Sequence, residues 1–398
     1  MVNTPVYMDN QATTRVDPRV VDAMLPFFDE KYGNAGSTSH VFGWDAKDAV
    51  DAARETIARS IGATRREIIF TSGATESNNL AIRGVCDRTR RKGNHIISVA
   101  TEHKAVLDPL AKLQKRGFDI TLLPVRQNDE LDAGVVDIQH VADAIRDDTV
   151  LVSVMLANNE IGVIQPLADI GCVCKQQGIL LHCDATQAVG KMTVDVEHLQ
   201  VDLMSFSGHK VYGPKGIGAL YVRRRAPSVR LESQIDGGRQ ESGLRSGTLN
   251  VPGIVGLARA IQLCTDEMPA EGERLRCLRD RLFEGVSSRI KGVELNGPAL
   301  DDLDLRLSSN LNCSFAGVDG EALMMSMRDL AVSSGSACTS ADPAPSHVLR
   351  ALRLNDDLTR ASLRFSLGRF NTVEEVDFAV ETVAEAVERL RSLSCSVG

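Results

Sequence analysis

Residues 201–218 read VDLMSFSGHKVYGPKGIG, and the rest of the chain is organised around this stretch. Leu203 to Phe206 is an apolar run of strand length, and it stops at Ser207-Gly208-His209-Lys210, ahead of a loop holding Gly213, Gly216 and Gly218. A lysine therefore stands where a buried strand ends. Open α/β folds bind ligands at the C-terminal edge of their parallel strands, and a partly desolvated lysine there loses its proton more readily and can act as an amine nucleophile. Lys210 is thus a Schiff-base candidate; the alternative is a solvated lysine on a turn.

Working outward, the chain from Ile68 to Val222 alternates short apolar or β-branched runs with longer amphipathic segments. Strands are predicted at Ile68 to Thr71, His95 to Ala100, Ile120 to Val125, Val150 to Leu156, Gly178 to Asp184, Leu203 to Ser207 and Ala219 to Val222. This alternation predicts an α/β domain with a mostly parallel seven-stranded sheet covered by helices. After Glu271 the texture changes to a charged amphipathic helix (Glu271 to Arg289), strand-like runs at Leu307 to Phe315, Leu330 to Ser334 and Ala361 to Leu367, and a final helix from Val373 to Leu393. Thr372 and Glu375 form a capping box for that last helix. A smaller α+β domain is expected over residues 1–15 and 266–398, beside a large domain over 16–265.

The 398 residues supply two to three domains' worth of core at roughly 150 residues each, and 43% apolar with 25% charged residues is ordinary for a globular enzyme. A net charge of -8 argues against nucleic acid or an anionic membrane as the main partner. The N-terminus has no basic or apolar signal regions, and no apolar run approaches the roughly 18 residues of a spanning helix, so a cytoplasmic or organelle-matrix location is expected. The nine cysteines are odd in number, scattered and without a Cys-x-x-Cys pair, which is neither a disulfide framework nor a zinc pattern. No resident metal is expected.

Further chemistry gathers at the predicted strand ends. In Phe70-Thr71-Ser72-Gly73-Ala74-Thr75-Glu76-Ser77-Asn78 a strand runs into a small, hydroxyl-rich turn opening a helix. Its free N–H groups suit a phosphate, while simple N-capping by Thr75 or Ser72 is the competing reading. The strand closing on Asp184 buries a carboxylate that should face a cation, such as a pyridinium nitrogen; a turn-capping aspartate is the alternative. His103 follows one neighbouring strand and Asn158-Asn159-Glu160 another. His103 has the flat ring to stack on a cofactor and the nitrogens to shuttle protons, or is a satisfied polar residue. Ser333-Ser334-Gly335-Ser336-Ala337-Cys338-Thr339-Ser340 places a cysteine among tiny residues, as a thiol on a mobile loop or in a plain linker. Arg364, inside the alternating run Ala361 to Leu367, offers a fork for a substrate carboxylate, or pairs with a structural acid.

Taken together, MDNQATTRVDPRV, FTSGATESNNLAI, TEHKAVLD, NNEIGV, DATQAVGK, LMSFSGHKVYGPKGIGALY, RSGTLNVP, AVSSGSACTS and LRFSLGRF closely resemble the cysteine desulfurases of the NifS/IscS group. These are class V aminotransferase-like enzymes with the fold-type-I architecture of pyridoxal 5'-phosphate (PLP) proteins. The resemblance implies that Lys210 bonds the cofactor, Asp184 faces its pyridine nitrogen, and Gln187 and Asn159 contact its phenolic oxygen side. It makes His103 the ring-stacking residue, Ala74, Thr75, Ser207 and His209 the phosphate cradle, and Thr248 a contribution across a homodimer interface from the other subunit. Cys338 matches the persulfide-forming nucleophile, and Asn34, Asn159 and Arg364 match substrate contacts.

The implied activity converts L-cysteine to L-alanine and passes sulfur from Cys338 to an acceptor, such as an iron-sulfur scaffold with which Cys338 would transiently ligate a cluster. A selenocysteine lyase-like activity, an aminotransferase and a non-catalytic assembly platform are the rival readings. Some positions depart from the group: Arg239 stands where a third glycine is usual, Ser242 where a basic residue is usual, Ala35 where a proline follows the asparagine, and Asp342-Pro343-Ala344 for Ser-Leu-Glu. The sequence stops at Gly398 without the aromatic and acidic tail of IscS-type members, from which weak scaffold binding is expected.

Overall fold

All seven apolar runs between Ile68 and Val222 are strands of one sheet, and their order explains why the chemistry collects at one edge. The computed structural model describes residues 2–334 and 345–396, with side chains through residue 393. A short β1 (Val6–Tyr7) precedes β2 (Ile68–Thr71), β3 (His95–Val99), β4 (Asp119–Leu123), β5 (Thr149–Ser153), β6 (Leu180–Asp184), β7 (Leu203–Ser207) and β8 (Gly218–Val222). The large sheet runs β2-β8-β7-β6-β5-β3-β4. Strands β7, β6, β5, β3 and β4 are mutually parallel, and β8 is antiparallel to both of its neighbours. Every residue of β3, β5, β7 and β8 is buried, as expected where helices cover both faces; β4, at the sheet edge, is largely open to solvent. Because β8 reverses and β2 reverses again, β2 points the same way as β7. The C-terminal ends of β2, β7, β6, β5 and β3 therefore share one edge.

The smaller sheets comprise β9 (Val293–Leu295), β10 (Asn310–Phe315), β11 (Leu330–Ala331), β12 (Ser333–Ser334) and β13 (Ser362–Ser366), ordered β12-β13-β10-β9, with β1 and β11 pairing separately in parallel. Behind them lies a second core of Leu311, Phe315, Leu363, Phe365, Val380 and Val383. The final helix, Val373–Ser396, opens on the expected capping box: Glu375 N donates to Thr372 Oγ1 at 3.3 Å, and Thr372 N donates to the Glu375 carboxylate at 3.2 Å.

One helix differs from expectation. Instead of beginning at Glu271, it runs unbroken from Val251 to Arg289, passing through Pro269. Ile254, Leu257 and Ile261 on its first half pack into the core of the large sheet, whereas Leu275, Leu278, Leu282 and Val286 on its second half belong to the core of the smaller sheets. The change in texture near residue 270 thus records a change of packing partner along one helix. The segment after β1 also crosses over: Asp9 bridges to Ser366, while Thr14 N donates to the carbonyl of His209 at 2.8 Å.

Candidate active site

A cavity of about 610 Å³ lies at the shared edge of the large sheet, closed on one side by the segment after β1 and by Arg364 of β13. Lys210 sits on the single 3-10 turn Gly208–Lys210 that follows β7, so the strand end delivers its side chain to the cavity. Its Nζ donates to the carbonyls of Gln11 at 2.7 Å and Ala12 at 2.6 Å. Asp184, the last residue of β6, is only 6% exposed and accepts from Asn78 Nδ2 at 2.7 Å and from Thr186 N at 3.0 Å. Both donors are neutral, and among the described residues no cation forms an ion pair with it. A buried carboxylate facing a cavity without a cation of its own fits a ligand that carries one.

His103 N-caps the helix Lys104–Gln114, its Nδ1 accepting from Ala105 N at 3.0 Å, which puts the proton of the neutral ring on Nε2. Burial lowers its pKa against the pull of Asp184, which favours the neutral form. His209 is driven down to about 4 by burial and then by Lys210 and Lys215, and its Nδ1 lies 3.2 Å from Thr13 Oγ1.

The helix Ala74–Thr89 starts at this edge, and its N-cap is Gly73, with no side chain to cap it. Neither Thr75 nor Ser72 fills that place: Ser72 instead donates its own N–H to Glu76 at 2.8 Å. An uncapped helix start opening on a cavity leaves N–H groups suited to an anion. The turn packs closely against β8, since a Cβ on Gly218 would stand 2.6 Å from Gly73 Cα. Ala74, Thr75, Ser207 and His209 all line this end of the cavity.

Arg364 is 2% exposed and forms the far wall. Its Nη1 donates to Asn159 O at 2.9 Å, and its Nη2 donates to Asp9 Oδ1 at 2.7 Å and Ser333 Oγ at 3.0 Å. Nε is buried and has no acceptor among the described residues. The arginine thus pairs with a structural acid, as one of its two sequence readings has it, and it also lines the cavity. Asn159 and Gln187 line the same cavity.

Cys338 lies outside the described residues. The residues flanking its loop are anchored at the site: Ser333 through Arg364 and Asp9, Ser346 by donating to the Glu160 carboxylate at 2.5 Å, and His347 through Nε2 to the carbonyl of Glu102 at 2.9 Å. Asn34 and Thr248 are not brought into the cavity within one chain. Asn34 is exposed and accepts from Gly36 N at 2.9 Å, and Thr248 is exposed just ahead of the long helix. Sequence reasoning passed over Asn78, Asp9 and the Gln11 and Ala12 carbonyls. Asn78 had a readable signal, standing on the helix that opens at the proposed phosphate turn; Asp9 and Gln11 act across sequence distances that carry no local pattern.

With this geometry established, comparisons with known proteins place the chain. The model of the family described as Aminotransferase class-V matches residues 6–378. A cysteine desulfurase IscS of Escherichia coli is 55% identical over 392 residues, covering 98% of this chain and 94% of that protein. Among solved structures, a NifS-like protein superposes with a TM-score of 0.88 at 38% identity, covering 97% of this chain and 100% of that one. The protein titled "SspA in complex with cysteine" gives 0.80 at 38% identity, covering 92% and 99%. The fold is that of the NifS-like structures, and the chain belongs to the class-V aminotransferase family, in its NifS/IscS group of cysteine desulfurases.

Proposed function

We propose that the cavity holds PLP and L-cysteine, and that the chain converts cysteine to alanine while retaining the sulfur on Cys338. The observation that carries this reading is the convergence on one cavity of an amine (Lys210), a buried carboxylate with no ion-pairing cation among the described residues (Asp184), an uncapped helix start (Ala74) and a buried guanidinium (Arg364). PLP matches these features group by group: its phosphate the helix start with Ser207 and His209, its pyridine nitrogen Asp184, its aldehyde carbon Lys210. When bound, it supplies an electron sink for the charge left by loss of a Cα proton.

The remaining work falls to the chain's own groups. Lys210 Nζ, held between two backbone carbonyls, is the base for the Cα proton once its amine is free. Arg364 orients the substrate through its carboxylate. The Cys338 thiolate then attacks the substrate sulfur: an S–S bond forms, the substrate C–S bond breaks, and the electron pair of that bond stays with the substrate carbon, which is protonated on the way to alanine. The persulfide is then passed to an acceptor protein, for which an iron-sulfur scaffold is the proposed partner. Thr248, exposed and outside the cavity of its own chain, is proposed to serve the site of a second copy in a homodimer.

Purified protein should be yellow and release alanine from L-cysteine in the presence of a thiol reductant. Cys338→Ser should keep the colour and still bind cysteine, with alanine production lost. Near wild-type turnover by this variant would sink the persulfide role; release of pyruvate with an amino acceptor would indicate transamination instead.

A further inference from the structure

Lys191 has no part in the chemistry above, yet it is bonded directly to a residue of the site. Its ammonium donates to Gln187 Oε1, four residues earlier on the turns that follow β6. Gln187 Nε2 in turn donates to Gln11 O at 2.9 Å, the carbonyl that also receives Lys210 Nζ at 2.7 Å. An ammonium only donates and a backbone carbonyl only accepts, so both ends of the carboxamide impose the same orientation. The amide nitrogen carries two hydrogens, and Gln11 O takes one. Among the described residues the second has no acceptor, and Gln187 lines the cavity.

We propose that Lys191 is a positioning residue that locks the Gln187 carboxamide with its nitrogen on the cavity side, presenting one N–H to an oxygen acceptor of the bound group. This rests on the reading of the cavity as a PLP site, where the acceptor is the phenolic oxygen beside the ring. Without Lys191 one of the two contacts that fix the amide is lost, and only the bond to Gln11 O still opposes a turned amide, whose oxygen would face the phenolic oxygen. The surroundings favour a lysine held by a hydrogen bond over one held by solvent: Gly190, Tyr212 and Glu271 share a cavity of about 30 Å³ with it, room for about one water. Burial first, and then the charge of Lys210, lowers its pKa to about 7, with Arg364 adding to that effect and Glu271 and Cys264 opposing it. The amine donates to Gln187 whether or not it carries the extra proton.

The test is a pH titration of the visible absorbance of the holoenzyme, a property of the bound chromophore and independent of turnover. Gln187→Ala should displace the midpoint by about half a pH unit or more, since a hydrogen bond to a titrating chromophore shifts its pKa. Lys191→Met should displace it in the same direction, the double variant should go no further than Gln187→Ala, and Lys191→Arg should restore the wild-type midpoint. Should Lys191→Met fail to fold, Lys191→Gln retains a donor without a fixed charge and is expected to fall between wild type and Gln187→Ala. A wild-type midpoint in Lys191→Met beside a displaced one in Gln187→Ala overturns the inference while leaving the cofactor reading intact. A displacement that adds fully in the double variant also overturns it, because the lysine would then act as a charge and not through the amide. If Gln187→Ala itself leaves the midpoint in place, the phenolic contact does not exist, and the inference falls with it.

Discussion

Asp9 and Arg364, 355 positions apart in the chain, meet at 2.7 Å where Arg364 lines the cavity, with the arginine side chain 2% exposed and the aspartate 18%. The pair neutralises a buried cation in the absence of a substrate carboxylate. If the proposed substrate contact is right, substrate shares, or competes for, an arginine that already has an acid.

Arg364→Ala removes that contact, and losing a charge-assisted hydrogen bond of about 1.5 to 3 kcal/mol should lower kcat/KM for L-cysteine by roughly 10- to 150-fold. Asp9→Asn keeps an oxygen acceptor for Arg364 and Ser333 but removes the competing charge, so KM should fall. Steady-state kinetics with a quantified PLP content separate the two. An unchanged kcat/KM in Arg364→Ala would leave this arginine with a structural role alone.

Lys210→Ala should eliminate borohydride-fixable cofactor, although the phosphate end of the cavity, built from other residues, should still retain some PLP by non-covalent contacts. Mass spectrometry of the reduced protein reads this directly. A lysine adduct surviving in the variant would move the covalent role to another residue.

Arg239, which stands where the group usually has glycine, has φ 58°, and Glu241 and Ser242 beside it also have positive φ. A left-handed conformation costs a non-glycine residue roughly 1 kcal/mol, part of which is offset by the larger unfolded-state entropy of glycine. Arg239→Gly should accordingly raise stability by about 0.5 kcal/mol. Denaturant unfolding with and without PLP is the measurement, and a loss of stability would show that the Arg239 side chain contributes more than its backbone costs.

Asp17, nearly fully buried, N-caps the helix Pro18–Met24 and ties it to the chain just past β13, accepting from Arg19 at 2.8 Å and from Arg369 at 2.7 Å. Its pKa is lowered chiefly by Arg19, with Arg369 adding to the effect against burial. A carboxylate depressed in the folded state stabilises above its unfolded pKa, and that contribution is lost as pH falls through the folded value. Asp17→Asn should cost about 1 to 3 kcal/mol near neutrality, and its deficit should shrink as pH drops below about 4. A deficit independent of pH would mean that packing, and not charge, is what the substitution disturbs.

The sequence by itself determined the strands, the edge at which they end and the residue types placed there. Periodicity is local: Leu203 to Ser207 reads as a strand and Lys210 as its terminus without knowledge of any partner. The motif residues His103, Asp184 and Lys210 follow because parallel strands of one sheet must end on the same side. Tertiary structure alone decided what each group faces. It gave Asp184 the neutral partner Asn78, Arg364 the acid Asp9, and Lys210 the carbonyls of Gln11 and Ala12. It also carried one helix across two cores, where sequence texture suggested a boundary. Hydrogen bonds and ion pairs act over about 3 Å in space and without regard to distance along the chain, so a pattern with a period of two or 3.6 residues carries no record of them.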